Sequence, residues 1–146
     1  MSTRTLNRLR GIGFDLVTGI KRDLASQNKN ATGEMSKSLS FQIININNNM
    51  GLIASANDYW TYVNDGRKAG SMPPETANFR RWLRAKGIPR EASYVIRRSI
   101  GQNGIPATNI FDDNVEAIKK QIAMLIAAQR ADLESRIGTT LKNASR

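Results

Sequence analysis

The sequence predicts an α+β fold: an N-terminal helix, an antiparallel β-hairpin or small sheet, short helices and a long C-terminal helix within one domain of 146 residues. Three observations carry this. Apolar residues near both ends recur at spacings of three and four, the signature of a helix with one buried stripe. Between residues 39 and 43 they alternate with polar residues, as on a half-buried strand. The stretch 59–107 then gathers both tryptophans, all three tyrosines and all four prolines, which predicts short, closely specified helices around aromatic side chains.

Over residues 5–25, Leu6, Leu9, Ile12, Leu16, Ile20 and Leu24 form one stripe, with Arg4, Arg8, Arg10, Lys21 and Arg22 largely off it. Gly11, Gly13 and Gly19 each cost a helix about 1 kcal/mol relative to Ala, so this helix depends on packing, and its glycines suit a close approach by another backbone. Residues 27–33 are a polar break, and the segment 29–35 is expected to order on assembly. Leu39, Phe41 and Ile43 then alternate, but the phase changes through Ile43, Ile44 and Ile46. A bulge would do this, as would a strand covered on both faces by a neighbouring subunit. Residues 47–51 read as an Asn-rich turn, and 52–56 as the returning arm.

Asp58 is placed to cap a short helix with Tyr59, Tyr62 and Val63 on its inner face and Gly66 as its stop. Residues 67–72 read as a flexible basic loop, fixed by Pro73 and Pro74. A helix over 75–86 is expected to turn Phe79, Trp82 and Leu83 inward and Arg80, Arg81 and Arg84 outward, ending at Gly87. Pro89 opens the next, with Ala92, Val95, Ile96 and Ile100 as its apolar stripe and Arg97 and Arg98 beside it. Asp113 is expected to cap the last helix. Val115, Ile118, Ile122, Leu125, Ile126, Leu133, Ile137 and Leu141 would be its buried side, and 142–146 a frayed tail. Met124, Ala127, Ala128 and Ala131 widen its apolar surface, so this helix needs more than its own core.

Chemistry is bounded as firmly as fold. With no Cys and no His, disulfides, thiolate metal sites, Cys–His dyads and Ser–His–Asp triads are excluded. The start, positive and acid-poor, has no uninterrupted apolar region and is read as part of the fold, made and kept in a reducing cytoplasm. The acids Asp112, Asp113 and Glu116 suit a helix start, where the dipole favours them, better than a divalent-cation site. Gly11 and Gly13 lie in a helical pattern without a preceding strand, which argues against a phosphate loop. No catalytic, cofactor or metal residue is assigned, and an enzyme is not expected.

The formal net charge of +10 favours anionic partners. Arg67, Lys68, Arg80, Arg81, Arg84, Arg90, Arg97 and Arg98 all come from the aromatic-rich stretch; as a set they are candidates either for a DNA-facing wall or for a subunit interface. Trp60 lies about a quarter-turn off the Tyr59, Tyr62 and Val63 face and is a candidate interface anchor.

The order of motifs in 59–111 resembles the tail-completion or head–tail joining family of long-tailed bacteriophages. The residues that carry it are Tyr59, Tyr62, Val63 and Gly66 in YWTYVNDG; Pro73 and Pro74; Trp82 followed by Lys86 and Gly87; and Gly104, Ile105, Pro106, Ala107 and Phe111 in GIPATNIF. The chain departs from the family's pattern at Asn64 and Asp65, where relatives often show a second aromatic and Glu. It departs again after Phe111, where acids replace Pro and Ala. The resemblance implies a virion structural protein of the neck, a homo-oligomeric ring. Its partners would be the connector or stopper and the tail tube or tail terminator proteins, around genomic DNA, with no cofactor and no membrane. The alternative class is a small basic protein that binds DNA without sequence preference.

Overall fold

The computed structural model describes residues 3–29, 32–47, 49–58 and 60–145. Its elements run α1 (Thr3–Ser26), α2 (Glu34–Ser38), β1 (Ser40–Ile46), β2 (Asn49–Ser55), α3 (Trp60–Asp65), α4 (Ala77–Ala85), a 3₁₀ turn (Arg90–Ala92), α5 (Ser93–Asn103) and α6 (Ile110–Ala144). This is the α+β arrangement read from the sequence.

The centre is the pair α1 and α6, packed antiparallel. At one end Asn114 of α6 meets Gly19 and Asp23 of α1, and at the other Gln129 Nε2 donates to Thr5 Oγ1 at 2.7 Å. The α1 stripe is buried from Leu9 to Leu24 as its spacing requires, with Leu6 half-buried at the edge. Met35, Leu39, Val63, Ile110, Phe111 and Ile118 close the same core. Two α1 glycines do admit close neighbours, though these are side chains and not backbone. A Cβ on Gly13 would lie 2.8 Å from Leu52 Cδ1 and closer still to the Phe41 ring, and one on Gly19 would overlap the Asn114 amide. Gly11 faces open space.

The hairpin pairs Ser40 with Ser55 through to Ile46 with Asn49 in unbroken register. The phase change is therefore no bulge. Ile43 and Ile44, on opposite faces of the two-stranded sheet, are both half-buried, while Ile46 stands exposed. The turn is shorter than the expected 47–51. β2 resumes at Asn49, and Asn47 takes the positive φ, 51°, that a two-residue hairpin loop demands. Asn48, Tyr59, Asn30 and Ala31 lie outside the described residues, and with them the expectations placed on the tip of the turn, on Tyr59 and on part of 29–35.

Several boundaries and faces differ from the sequence reading. α3 begins at Trp60, and Asp58 sits in the turn before it, its backbone oxygen accepting from Thr61 Oγ1 at 3.3 Å. Tyr62 is 53% exposed; the residues that α3 buries are Val63 and Asn64. α4 starts at Ala77 because Thr76 is its cap, its Oγ1 accepting from Phe79 N at 3.1 Å. Phe79 and Trp82 stack at 5.6 Å, both half-buried, and Leu83 is buried. Pro89 precedes the 3₁₀ turn and not an α-helix, so α5 is rotated relative to the predicted stripe. Val95 consequently faces solvent, while Ser93 and Gly101 are buried, the latter against the backbone of Met72. Residues 142–144 are not frayed, for α6 continues to Ala144; Arg146 lies outside the described residues. Among the described residues no helix is long and apolar enough to cross a membrane.

Candidate interaction surface

The aromatic-rich stretch is organised around a residue that the sequence did not advertise. Asn64 is 1% exposed at the end of α3. Its Oδ1 accepts from Phe111 N at 3.0 Å and Asp112 N at 3.1 Å; its Nδ2 donates to Asp65 Oδ1 at 2.8 Å and Asp112 Oδ2 at 2.9 Å. Its backbone oxygen accepts from Thr108 N and Asn109 N. A helix leaves its first N–H groups without partners, and here the cap comes from 47 residues upstream. Asp113 is thus not the cap: α6 begins at Ile110, and Asp113 lies inside its first turn. Asn109, just before the helix, takes φ 54° and makes no side-chain cap bond. The only hint in the sequence was that Asn64 stands where relatives in the resembled family carry an aromatic.

Beside this hub the 67–72 loop is pinned and not free. Arg67 N donates to Ile105 O at 2.8 Å, Ile105 N returns to Arg67 O at 2.7 Å, and Gly70 N donates to Gly101 O at 2.7 Å. The bridge brings the Gly66 turn against Ile105 and Pro106, where φ 72° and the absence of a Cβ are both required. The YWTYVNDG and GIPATNIF motifs are in this way two sides of one junction.

That junction divides the candidate basic residues. Arg67 is spent on the fold, its Nη2 donating to Ser71 O at 3.0 Å; Arg97 likewise donates to Ser93 Oγ at 3.2 Å and Pro73 O at 3.3 Å. Arg81 pairs with Glu34 of α2, and Arg90 lies 3.6 Å from Glu75. Arg80 is half-buried. The side chains of Lys68, Arg84 and Arg98 are exposed and make no hydrogen bond or ion pair with another described residue. They are the members of the set left available to an outside anion. Trp60 packs on Phe111, ring centroids 5.4 Å apart and planes at 52°, and is 36% exposed.

Among the described residues no group of three or more His, Cys, Asp or Glu could hold a metal ion. Asp112 is engaged by Asn64 and Glu116 by Lys119, whose amine is held above its ordinary pKa by that carboxylate. The notable carboxylate is Asp23. The Asn114 amide, donating at 2.7 Å, and then Arg22 hold it below the usual carboxylate range.

The largest uncovered features are apolar. Of the residues expected along the buried side of α6, Ile118 is buried and Ile122 and Leu125 pack at the core edge. Val115, Ile126, Leu133, Ile137 and Leu141 are exposed, the last three at 59%, 51% and 65%. For Leu133, Ile137 and Leu141 the physical reason is length: α6 runs past the N-terminal end of α1, so the stripe loses its covering helix beyond Gln129. On the other side of α1 a groove of about 490 Å³ opens between α1 and the hairpin, lined by Leu6, Phe14, Phe41, Ile43, Ile44 and Met50, with Arg10 and Asn45 at its polar positions. Phe14 is 68% exposed there, and its spacing in the sequence, off the α1 stripe, was the signal that could have found it. Comparison of the chain with known protein families, with curated proteins and with solved structures gives no match.

Proposed function

We propose that this chain is a non-enzymatic structural protein of a phage virion, of the neck or tail-completion type. It forms a homo-oligomeric ring that joins the head connector to the tail around the DNA channel. The observation that carries the reading is the uncovered distal part of α6: a soluble monomer rarely leaves a row such as Leu133, Ile137 and Leu141 in water, and a chain built to be covered by neighbours does. The ordered motifs of 59–111 add the family, and their convergence on one junction supports treating them as a unit. The partners are further copies of the chain, connector or stopper proteins, tail tube or tail terminator proteins, and the DNA that passes between them. Diffuse positive charge at Lys68, Arg84 and Arg98 suits a wall past which DNA must slide, since it holds phosphate without reading bases. The chain is expected in the host cytoplasm before assembly and in the virion after it. Mass measurement of the purified protein with its neighbouring virion proteins tests this: the expected product is a ring-sized assembly incorporated into particles, and a strictly monomeric chain that never enters particles overturns it.

The same three exposed cations support a second reading, a basic protein that binds duplex DNA without sequence preference. It requires tight binding whose logarithm falls linearly with the logarithm of salt, by about 0.9 per phosphate contact. No binding at low salt removes it.

A further inference from the structure

We propose that the distal part of α6 in one copy docks into the groove between α1 and α6 of the next copy, across Gly11. This rests on the ring reading and assigns its interface. The donor is the fifteen-residue extension of α6 after Gln129, a rod of about 22 Å at 1.5 Å per residue, with Leu133, Ile137 and Leu141 exposed along one sector of it. The acceptor is a groove of about 440 Å³ lined by Gly11 and Ile12 of α1 and by Met124, Leu125 and Ala128 of α6. Its two charged residues are Arg8 and Asp15.

The groove is shaped for another helix. Gly11 lies inside α1, costs it about 1 kcal/mol relative to Ala, and has nothing within 4 Å of the place a Cβ would take. Gly13 and Gly19 each make room for a side chain of this chain, whereas Gly11 makes room for none. A bare stretch of backbone beside Met124, itself 73% exposed, admits the close approach of a second helix.

The donor cannot fill the groove of its own chain. α6 is unbroken, and Ala128 and Ile137 are nine residues apart, about two and a half turns, so groove and sector lie on opposite sides of one rod. The contact is therefore head-to-tail and repeats from copy to copy, the kind that closes into a ring or runs on as a filament.

Charge selects a second copy as the occupant and sets its direction. The side chains of Arg8 and Asp15 are exposed and make no hydrogen bond or ion pair with another described residue. The same holds for Arg130, within the donor sector, and Glu134, beside it. Arg8 and Asp15 are about 10 Å apart along α1, and Arg130 and Glu134 about 6 Å apart along α6, at 1.5 Å per residue. An incoming α6 antiparallel to α1 brings Glu134 to Arg8, Arg130 to Asp15 and Leu133 to Gly11 between them, the long arginine side chains spanning the difference. The acid and base left unused on each surface are then matched by the base and acid of the other. Lys142 lies about 140° round the helix from Ile137, outside the contact, and Asp132 is paired with Arg136 at 3.2 Å. The groove between α1 and the hairpin, by contrast, has Arg10 as its charged residue and no acid to receive Arg130.

Sedimentation of the full chain over a range of concentrations tests this, with circular dichroism and Tm as the check on folding. The wild type is expected to self-associate. Gly11→Gln puts a side chain into the open groove: its Tm should not fall, since Gln is the better helix former, while association weakens about tenfold. Ile137→Asp should weaken association about thirtyfold, as removal of a central anchor does. Arg8→Glu and Glu134→Arg should each weaken it about fivefold, and the double variant should regain wild-type association. A wild type that stays monomeric at every concentration overturns the proposal, and if it is also absent from particles the ring reading fails with it. A wild type that associates while Gly11→Gln and Ile137→Asp associate equally well overturns the interface and leaves the ring reading standing. Should either of those variants misfold, the charge reversals decide, and a double variant no better than either single one overturns the contact.

Discussion

Replacing Asn64 by Ala removes the cap of α6 without touching α6. Two acceptor contacts are lost. Phe111 is buried, so its N–H, left without an acceptor, cannot be rehydrated and costs about 2 kcal/mol. Asp112 is exposed and its N–H can turn to water, so that loss is about 1 kcal/mol, the usual worth of a cap. The two donor contacts end on exposed carboxylates that water can serve. The sum is about 3 kcal/mol, and for a domain of this size, at about 3 °C per kcal/mol, the expected fall in Tm is about 9 °C. Thermal unfolding followed by circular dichroism at 222 nm measures it. The variant N64D sharpens the test: it keeps both acceptor contacts but loses both donors, and it sets a carboxylate against Asp65 and Asp112. Those neighbours raise the folded-state pKa of the introduced acid. Its neutral form is then favoured by folding, so the defect should be largest at neutral pH and shrink as pH falls through that pKa. A loss below about 1 kcal/mol for N64A would refute the assignment of Asn64 as the cap.

Two further perturbations follow from the packing of α1 and α6. Gly13→Ala should lose about 1–2 kcal/mol because its Cβ meets Phe41 and Leu52, whereas Gly11→Ala, with open space around it, should gain up to about 1 kcal/mol from helix propensity; paired urea titrations compare them. Asp23 has a folded pKa below its ordinary value, so it contributes stability that is fully present above about pH 4 and is lost as pH falls through the folded pKa. An NMR titration of its carboxyl should show the low midpoint, and Asn114→Ala should move that midpoint back up.

The parts of the fold that a sequence can express as periodicity were legible. The α1 stripe, the hairpin and the long last helix each repeat one signal over many residues, and the aromatic-rich stretch does fold into short helices. What escaped were features set by a partner distant in the chain. Asn64 is polar, and polar residues read as surface until the helix end that needs them is in view. Tyr62 was placed by spacing within α3, six residues and too short for spacing to fix a face, and Val95 by a stripe counted from Pro89, where a 3₁₀ turn and not α5 begins. The exposed end of α6 was legible as an excess of apolar surface, but where covering stops depends on how far α1 reaches, which is a fact of three dimensions. The candidate cations were found as a set; only the fold could separate Arg67 and Arg97, which hold loops, from Lys68, Arg84 and Arg98, which do not.

Because α6 is unbroken, with its first half clamped along α1 and its second half standing clear, the helix is a lever with its fulcrum near Gln129. A tilt of about 5° at the clamp would carry the tip sideways by about 2 Å over a 22 Å arm, since an unbroken helix bends little over that length. In a ring whose copies meet through the distal part of α6, the angle at which α6 leaves α1 sets the rotation from one copy to the next, and with it whether the ring closes. Ring size would then be written into the α1–α6 packing, at Gly19 and Asn114, outside the surfaces that touch.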